Sequence, residues 1–212
     1  MKRLQPGDLV PQGWNRVIDP RHWASMTRMH EATHVTASEA LGIPVESVWA
    51  NVDPTVRHGG QYRTVAGDSQ LQTVVYLIGA EGGAQELRDC GYDEDLAHNS
   101  VLILGGSDMD KASAVIREAG AHGYRLDGAR AQADALALLH SPGFKDTAHS
   151  VADALACRGD RLTGADVRAA IGDWQLDGSV WVRSYVDLDL PADRLEPAIN
   201  PAPDIDMEEM EL

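Results

Sequence analysis

The segment His30-Glu31-Ala32-Thr33-His34 brings together residue types that can hydrolyse a bond with the help of a metal. Residues four apart lie on one face of a helix, so both imidazoles can reach a single ion. Glu31 projects beside them, where it can take a proton from a metal-activated water. Zinc brings the pKa of such a water near neutrality and polarises a carbonyl, which is what peptide hydrolysis needs. The HExxH spacing therefore predicts His30 and His34 as Zn2+ ligands and Glu31 as the catalytic general base. The competing reading is a surface helix whose histidines and Glu face only solvent.

A hydrolytic zinc site takes a third protein ligand. The metzincin pattern would require Gly at position 37 and His at position 40, where the chain has Ala37 and Ala40, so that class is excluded. No Glu occurs between Ser47 and Ala80, so a Glu ligand on a following helix would have to be Glu81 or Glu86. An Asp farther along is the remaining alternative. The other histidines (His22, His58, His98, His122, His140 and His149) lack ligand spacing and read as surface or cap residues.

These residues need a scaffold. The spacing of Met26, Met29, His30, Thr33, His34, Ala37 and Leu41 predicts an amphipathic helix from Trp23 or Ser25 to Leu41, stopped by Gly42. Residues 45–52 have strand composition. His58-Gly59-Gly60 reads as a turn and residues 61–65 as a returning strand, which together predict a hairpin. Its edge could take up an extended peptide as a further strand, with Val48, Ala50, Gly59 and Gly60 as substrate-strand candidates. An ordinary structural hairpin is the alternative.

A long helix follows over residues 69–87, although Gly79, Gly82 and Gly83 lower its propensity unless they serve close packing. Residues 89–99 are polar and predict a loop. Ser107 is a candidate cap for a helix over residues 108–119, ended by Gly120. Two more helices are expected over residues 126–139 and 145–156, and residues 162–168 read as a turn and cap leading into a last one. Residues 180–186 could form a strand. From Pro191 onward, prolines among acids predict disorder. The fold class expected is mostly helical α+β, with a small β-hairpin or sheet and a C-terminal helical bundle.

The chain has 212 residues, enough for one domain with tails. Its formal net charge of −15 disfavours nucleic acid and anionic membrane as partners. Residues 187–212 hold nine acids against Arg194 alone, a net of −8, so half the excess sits in a tail that could dock a partner or occupy the cleft. Cys90 and Cys157 have no CxxC spacing and no partner His cluster, and read as buried free thiols in preference to a disulfide. Lys2-Arg3 leads into a polar stretch and not into an apolar run, and the longest apolar stretch, residues 74–80, is far too short to span a bilayer. A soluble, cytoplasmic protein is expected.

Beyond the HExxH segment, Leu41-Gly42-Ile43-Pro44-Val45, Gly82-Gly83-Ala84-Gln85-Glu86-Leu87 and Gly105-Gly106-Ser107-Asp108-Met109-Asp110-Lys111-Ala112-Ser113 occur in order. Together these segments resemble the peptidase domain of the FtsH family of ATP-dependent zinc proteases. Residues 129–171, with Leu162-Thr163-Gly164-Ala165-Asp166-Val167, are similar to the helices that close that domain. The resemblance covers residues 25–172 and implies Asp108 as the third zinc ligand, with Asp110 and Glu86 as alternatives. It leaves Glu86 a further role, orienting a ligand imidazole from behind. The family has Gly where this chain has Thr33, and small residues where it has Val35 and Thr36.

The resemblance divides the chain into an N-terminal arm (1–24), the peptidase-like domain (25–172) and a C-terminal extension (173–212). No GxxxxGK[ST] phosphate loop occurs in the sequence. The expected activity is therefore ATP-independent endopeptidase cleavage of peptides or unfolded chains, in a monomer or homo-oligomer. The rival expectation is a catalytically silent binding or structural module of the same fold.

Overall fold

The computed structural model describes residues 18–53, 60–65, 69–123 and 126–175. Gly59, the possible strand over residues 180–186 and the acidic tail lie outside them. The described part is mostly helical, with one small antiparallel sheet.

Helix α1 (Pro20–Ala40) starts where the Asp19 side chain accepts from the Arg21 amide at 2.8 Å. Pro20 fits there because a first-turn residue needs no amide partner. The helix closes at Leu41, and Gly42 turns the chain away at φ +74°. α1 is buried along nearly its whole circumference from Met26 to Ser38, not on one face as expected. Thr27, Thr33 and Ser38 donate to the carbonyls four residues back, while the buried Thr36 hydroxyl has no partner among the described residues.

The arm boundary at residue 24 is thereby corrected. Ile18 and Trp23 are buried with Met26, Ala80, Ala84, Leu87, Leu96 and Ala97 in a second apolar cluster, so residues 18–24 belong to the packed unit. At the other end Trp174 stacks edge-on against Phe144 and donates to the Pro142 carbonyl, carrying the fold past residue 172.

Strands β1 (Val45–Ala50) and β2 (Gly60–Thr64) form the expected hairpin, with Val48 opposite Tyr62 and Ala50 opposite Gly60. A third strand, β3 (Arg161–Thr163), was not anticipated. It pairs with the other side of β1, giving the order β2-β1-β3. This corrects the assignment of Val48 and Ala50 to a substrate-binding edge. Val48 is flanked by Tyr62 and Leu162, and the Ala50 amide donates to the Asp160 carbonyl. Both are buried on a central strand with no free ladder positions.

Helix α2 (Ser69–Asp89) lies along α1 in the most extensive packing of the molecule. Its glycines explain the fit. A methyl group added at Gly82 would fall on the Thr33 side chain, and one at Gly79 would fall on the His34 ring. Three helical glycines cost roughly 1 kcal/mol each in propensity, which the close approach of the two helices offsets.

Helix α3 (Glu94–Leu104) replaces the predicted loop over residues 89–99. The Asp93 side chain accepts from the Leu96 amide at its start, and Leu96, Ala97, Asn99 and Ser100 are buried. Helix α4 (Gly106–Ala121) begins earlier than expected, with Gly105 and not Ser107 at its cap.

Helices α5 (Gly128–Leu139), α6 (Phe144–Cys157) and α7 (Gly164–Ile171) follow, with α6 packed on α7 and in contact with α5. They pack on α2, α1 and β1 around one core that includes Val35, Val48, Ile78, Leu138, Phe144, Leu155 and Leu162. Asp127 caps α5, and a reciprocal Thr163–Asp166 capping box starts α7.

No helix among the described residues is long and apolar enough to cross a membrane.

Candidate metal centre

α1 presents His30 and His34 one turn apart toward the N-terminal end of α4, where Asp108 occupies the first turn. An acid in that position is favoured by the helix dipole. The Asp108 Oδ2 atom lies 3.2 Å from the Nε2 atoms of both His30 and His34, and those two nitrogens are 3.1 Å apart. The three residues form a group that could hold a metal ion between α1 and α4, and each is 5% exposed or less.

Hydrogen bonding sets the state of one ring. The His34 Nδ1 atom lies 2.6 Å from the Val75 carbonyl on α2, a contact that requires a proton on Nδ1. In the neutral ring, Nε2 then carries a lone pair aimed at the Asp108 carboxylate. Two lone pairs at that distance repel unless a proton or a cation lies between them. The donor set, two imidazole nitrogens and a carboxylate oxygen, is one that zinc takes. With bonds of about 2.0–2.2 Å in a tetrahedron, donor atoms stand roughly 3.3–3.5 Å apart. The observed 3.1–3.2 Å triangle is within a few tenths of an ångström of that requirement. The residues fit the ion.

The remaining Asp108 oxygen, Oδ1, accepts from the Lys111 ammonium at 3.0 Å, and Lys111 sits over the Tyr76 ring. Burial works to raise the Asp108 carboxyl. Without a metal, protons on the Nε2 atoms of His34 and His30 would outweigh it and hold the group well below the usual carboxylate range.

Glu31 stands beside the triad without belonging to it. Its Oε1 is 3.8 Å from His30 Nε2, and its Oε2 is buried with no hydrogen-bond partner among the described residues. Burial pushes its pKa up to about 7, His30 and Lys111 opposing the rise and Asp108 adding to it. An unpaired buried carboxyl costs stability, so one aimed at a donor triad calls for an explanation.

Strand β2 covers this end of α1. At Gly60, with φ +150°, an added Cβ would come within 2.8 Å of the Glu31 side chain and would also meet the Trp49 carbonyl. Two residues on, and so on the same face of the strand, the Tyr62 ring stacks on His34 with centroids 4.7 Å apart. The Tyr62 hydroxyl is buried and unpartnered among the described residues. Burial raises its pKa well above the ordinary phenol value, and Tyr76, Asp108 and Glu31 add to the rise.

The structure thus brings together His30, Glu31, His34 and Asp108. Among the alternatives, Asp110 is exposed on α4 and Glu81 is not part of the triad. Glu86 does not back a ligand imidazole. It accepts from Ser25 at 2.5 Å and approaches His149 at 3.7 Å, while the Val75 carbonyl takes the position behind His34. Glu86, Asp89 and His149 form a looser group in which the Lys145 ammonium, 2.6 Å from Asp89, already supplies a cation.

Three contributors escaped sequence reasoning: Tyr62, Lys111 and the Val75 carbonyl. The Gly60-x-Tyr62 alternation was the available signal for the first, and the spacing of Lys111 one turn after Asp108 for the second. A carbonyl leaves no trace in residue type. Comparison of the chain with models of known protein families, with curated proteins and with solved structures gives no match.

Proposed function

We propose that this chain is a zinc-dependent endopeptidase of the FtsH type, which hydrolyses peptide bonds without ATP. The observation that carries the reading is the buried, unpartnered Glu31 oxygen beside three donor atoms converging from α1 and α4. A purely structural metal site has no use for such a base. The ordered resemblance of residues 25–172 to FtsH peptidase domains supports the same assignment.

His30, His34 and Asp108 would hold the ion. When bound, zinc supplies Lewis acidity, activating water and polarising the scissile carbonyl. The protein's own groups account for the rest. The Val75 carbonyl fixes the His34 tautomer so that Nε2 faces the centre. Lys111 holds Asp108 in place through the oxygen that does not face the histidines. Glu31, with its unpartnered oxygen beside the triad, would take the proton of the attacking water and pass it to the leaving amine.

A second reading draws on the burial of the triad, each member of which is 5% exposed or less. Such a closed site suits a binding module in which zinc only stabilises the fold. Substitution Glu31→Gln separates the two. For the peptidase, zinc stays at about one per chain by elemental analysis, while cleavage of a peptide library falls by roughly 10²–10⁴-fold, the usual weight of a general base. Zinc-loaded wild type that cleaves nothing would leave the module reading in place. Wild type that takes up no zinc would remove both.

A further inference from the structure

Attack on a peptide carbonyl moves an electron pair onto its oxygen, and a donor aimed at that oxygen is commonly the largest protein contribution to rate. The side chains around the triad are almost all acceptors. His30 and His34 turn Nε2 toward the centre, and Asp108 and Glu31 are carboxyl groups. Among the described residues three donors lie beside them, one being the Tyr76 hydroxyl on the half-buried ring that Lys111 covers. The Lys111 ammonium is engaged by Asp108 Oδ1. The Tyr62 hydroxyl is buried, has no partner among the described residues, and belongs to a ring stacked on the ligand His34.

A buried hydroxyl with no partner lowers stability. Its retention on the strand whose Gly60 also makes room for Glu31 points to a partner that arrives with the substrate.

We propose that Tyr62 is a catalytic hydrogen-bond donor to the oxygen of the scissile carbonyl. The inference rests on the peptidase reading. As the water oxygen bonds to the carbonyl carbon, the C=O π pair moves onto oxygen, where the Tyr62 O–H donates a hydrogen bond and keeps its proton. Glu31 receives the water proton. When the pair returns and the C–N bond breaks, Glu31 delivers that proton to the amine nitrogen. Tyr62 ends each cycle unchanged.

The test is binding of phosphinic pseudopeptides with apolar side chains to the zinc-loaded full chain by calorimetry, because their tetrahedral phosphinate carries the oxygen that Tyr62 would meet. Tyr62→Phe keeps the ring on His34 and deletes only the hydroxyl. It should retain one zinc and an unchanged or higher Tm, since an orphan group is removed, yet bind the phosphinate about 100-fold more weakly, within the range of a lost oxyanion donor. Equal affinity in Tyr62→Phe and wild type overturns the role of Tyr62 and leaves the peptidase reading intact. A loss seen in a Lys111→Met variant that keeps one zinc per chain, but not in Tyr62→Phe, overturns the role of Tyr62 and transfers it to Lys111. Zinc-loaded wild type that neither binds the phosphinates nor cleaves peptides removes the peptidase reading and the Tyr62 role together.

Discussion

At the scale of single residues, the centre depends on a position that never touches a metal. A Cβ at Gly79 would coincide with the His34 ring, whose Nε2 must meet His30 and Asp108 within about 3 Å. Gly79→Ala should therefore lower zinc content well below one per chain, although no ligand is altered. Gly120→Ala is the control, because a methyl group there meets nothing within 4 Å. That change should leave zinc intact and raise stability by about 0.5–1 kcal/mol through helix propensity. Elemental analysis and thermal melts on both variants decide it. Equal zinc content in the two would mean that His34 has freedom this packing denies.

What the sequence conveyed at this scale follows from how local each signal is. His30, Glu31 and His34 were legible because one helical turn carries the whole relation. Asp108 was reached through the FtsH resemblance, since no spacing rule connects residues 74 or more apart. Tyr62 needed the register of β2 against β1 before its ring could be placed on His34. Glu86 was misassigned because a carboxylate on α2 can turn toward Ser25 and His149 as readily as toward the ligands.

Among elements, the α1–α2 pair carries one departure from the FtsH pattern that the sequence resembles. Thr33 stands where that family has Gly, and its side chain fills the space that Gly82 leaves open on the facing helix. The two positions should be coupled. Gly82→Ala alone forces overpacking and should cost about 1–3 kcal/mol. In a Thr33→Gly background the same change should cost markedly less, the interaction appearing in a double-mutant cycle by denaturant unfolding. Strict additivity would mean that the helices separate freely at this point.

The long helices were readable from their period. β3 was not, because Arg161-Leu162-Thr163 is too short to show alternation and its pairing with β1 is tertiary. α3 was taken for a loop because residues 89–99 are polar. Asp93 ahead of it was the missed cap, and the helix is held by burying Leu96 and Ala97 in the cluster of Trp23 and Leu87.

For the molecule as a whole, zinc binding and folding should be one linked equilibrium. A ligand that binds only the native state adds about 4 kcal/mol when present at 1,000 times its Kd. In a domain of this size that corresponds to a rise in Tm of roughly 8–16 °C. Melts with zinc against melts with a chelator should show a shift of this order in wild type and none in His34→Ala. An equal response in both would place the stabilising ion elsewhere, the group of Glu86, Asp89 and His149 being the first candidate.

The separation of the donors has a consequence for the order of events during synthesis. His30 and His34 emerge from the ribosome long before Asp108, and the Val75 carbonyl that sets the His34 tautomer lies between them in the chain. A nascent chain ending at α3 has His30 and His34 but not Asp108, and so lacks one of the three donors of the triad. Acquisition of the ion waits until α4 has been made and laid against α1. On the peptidase reading, the donor triad is therefore complete only once more than half of the chain has been made.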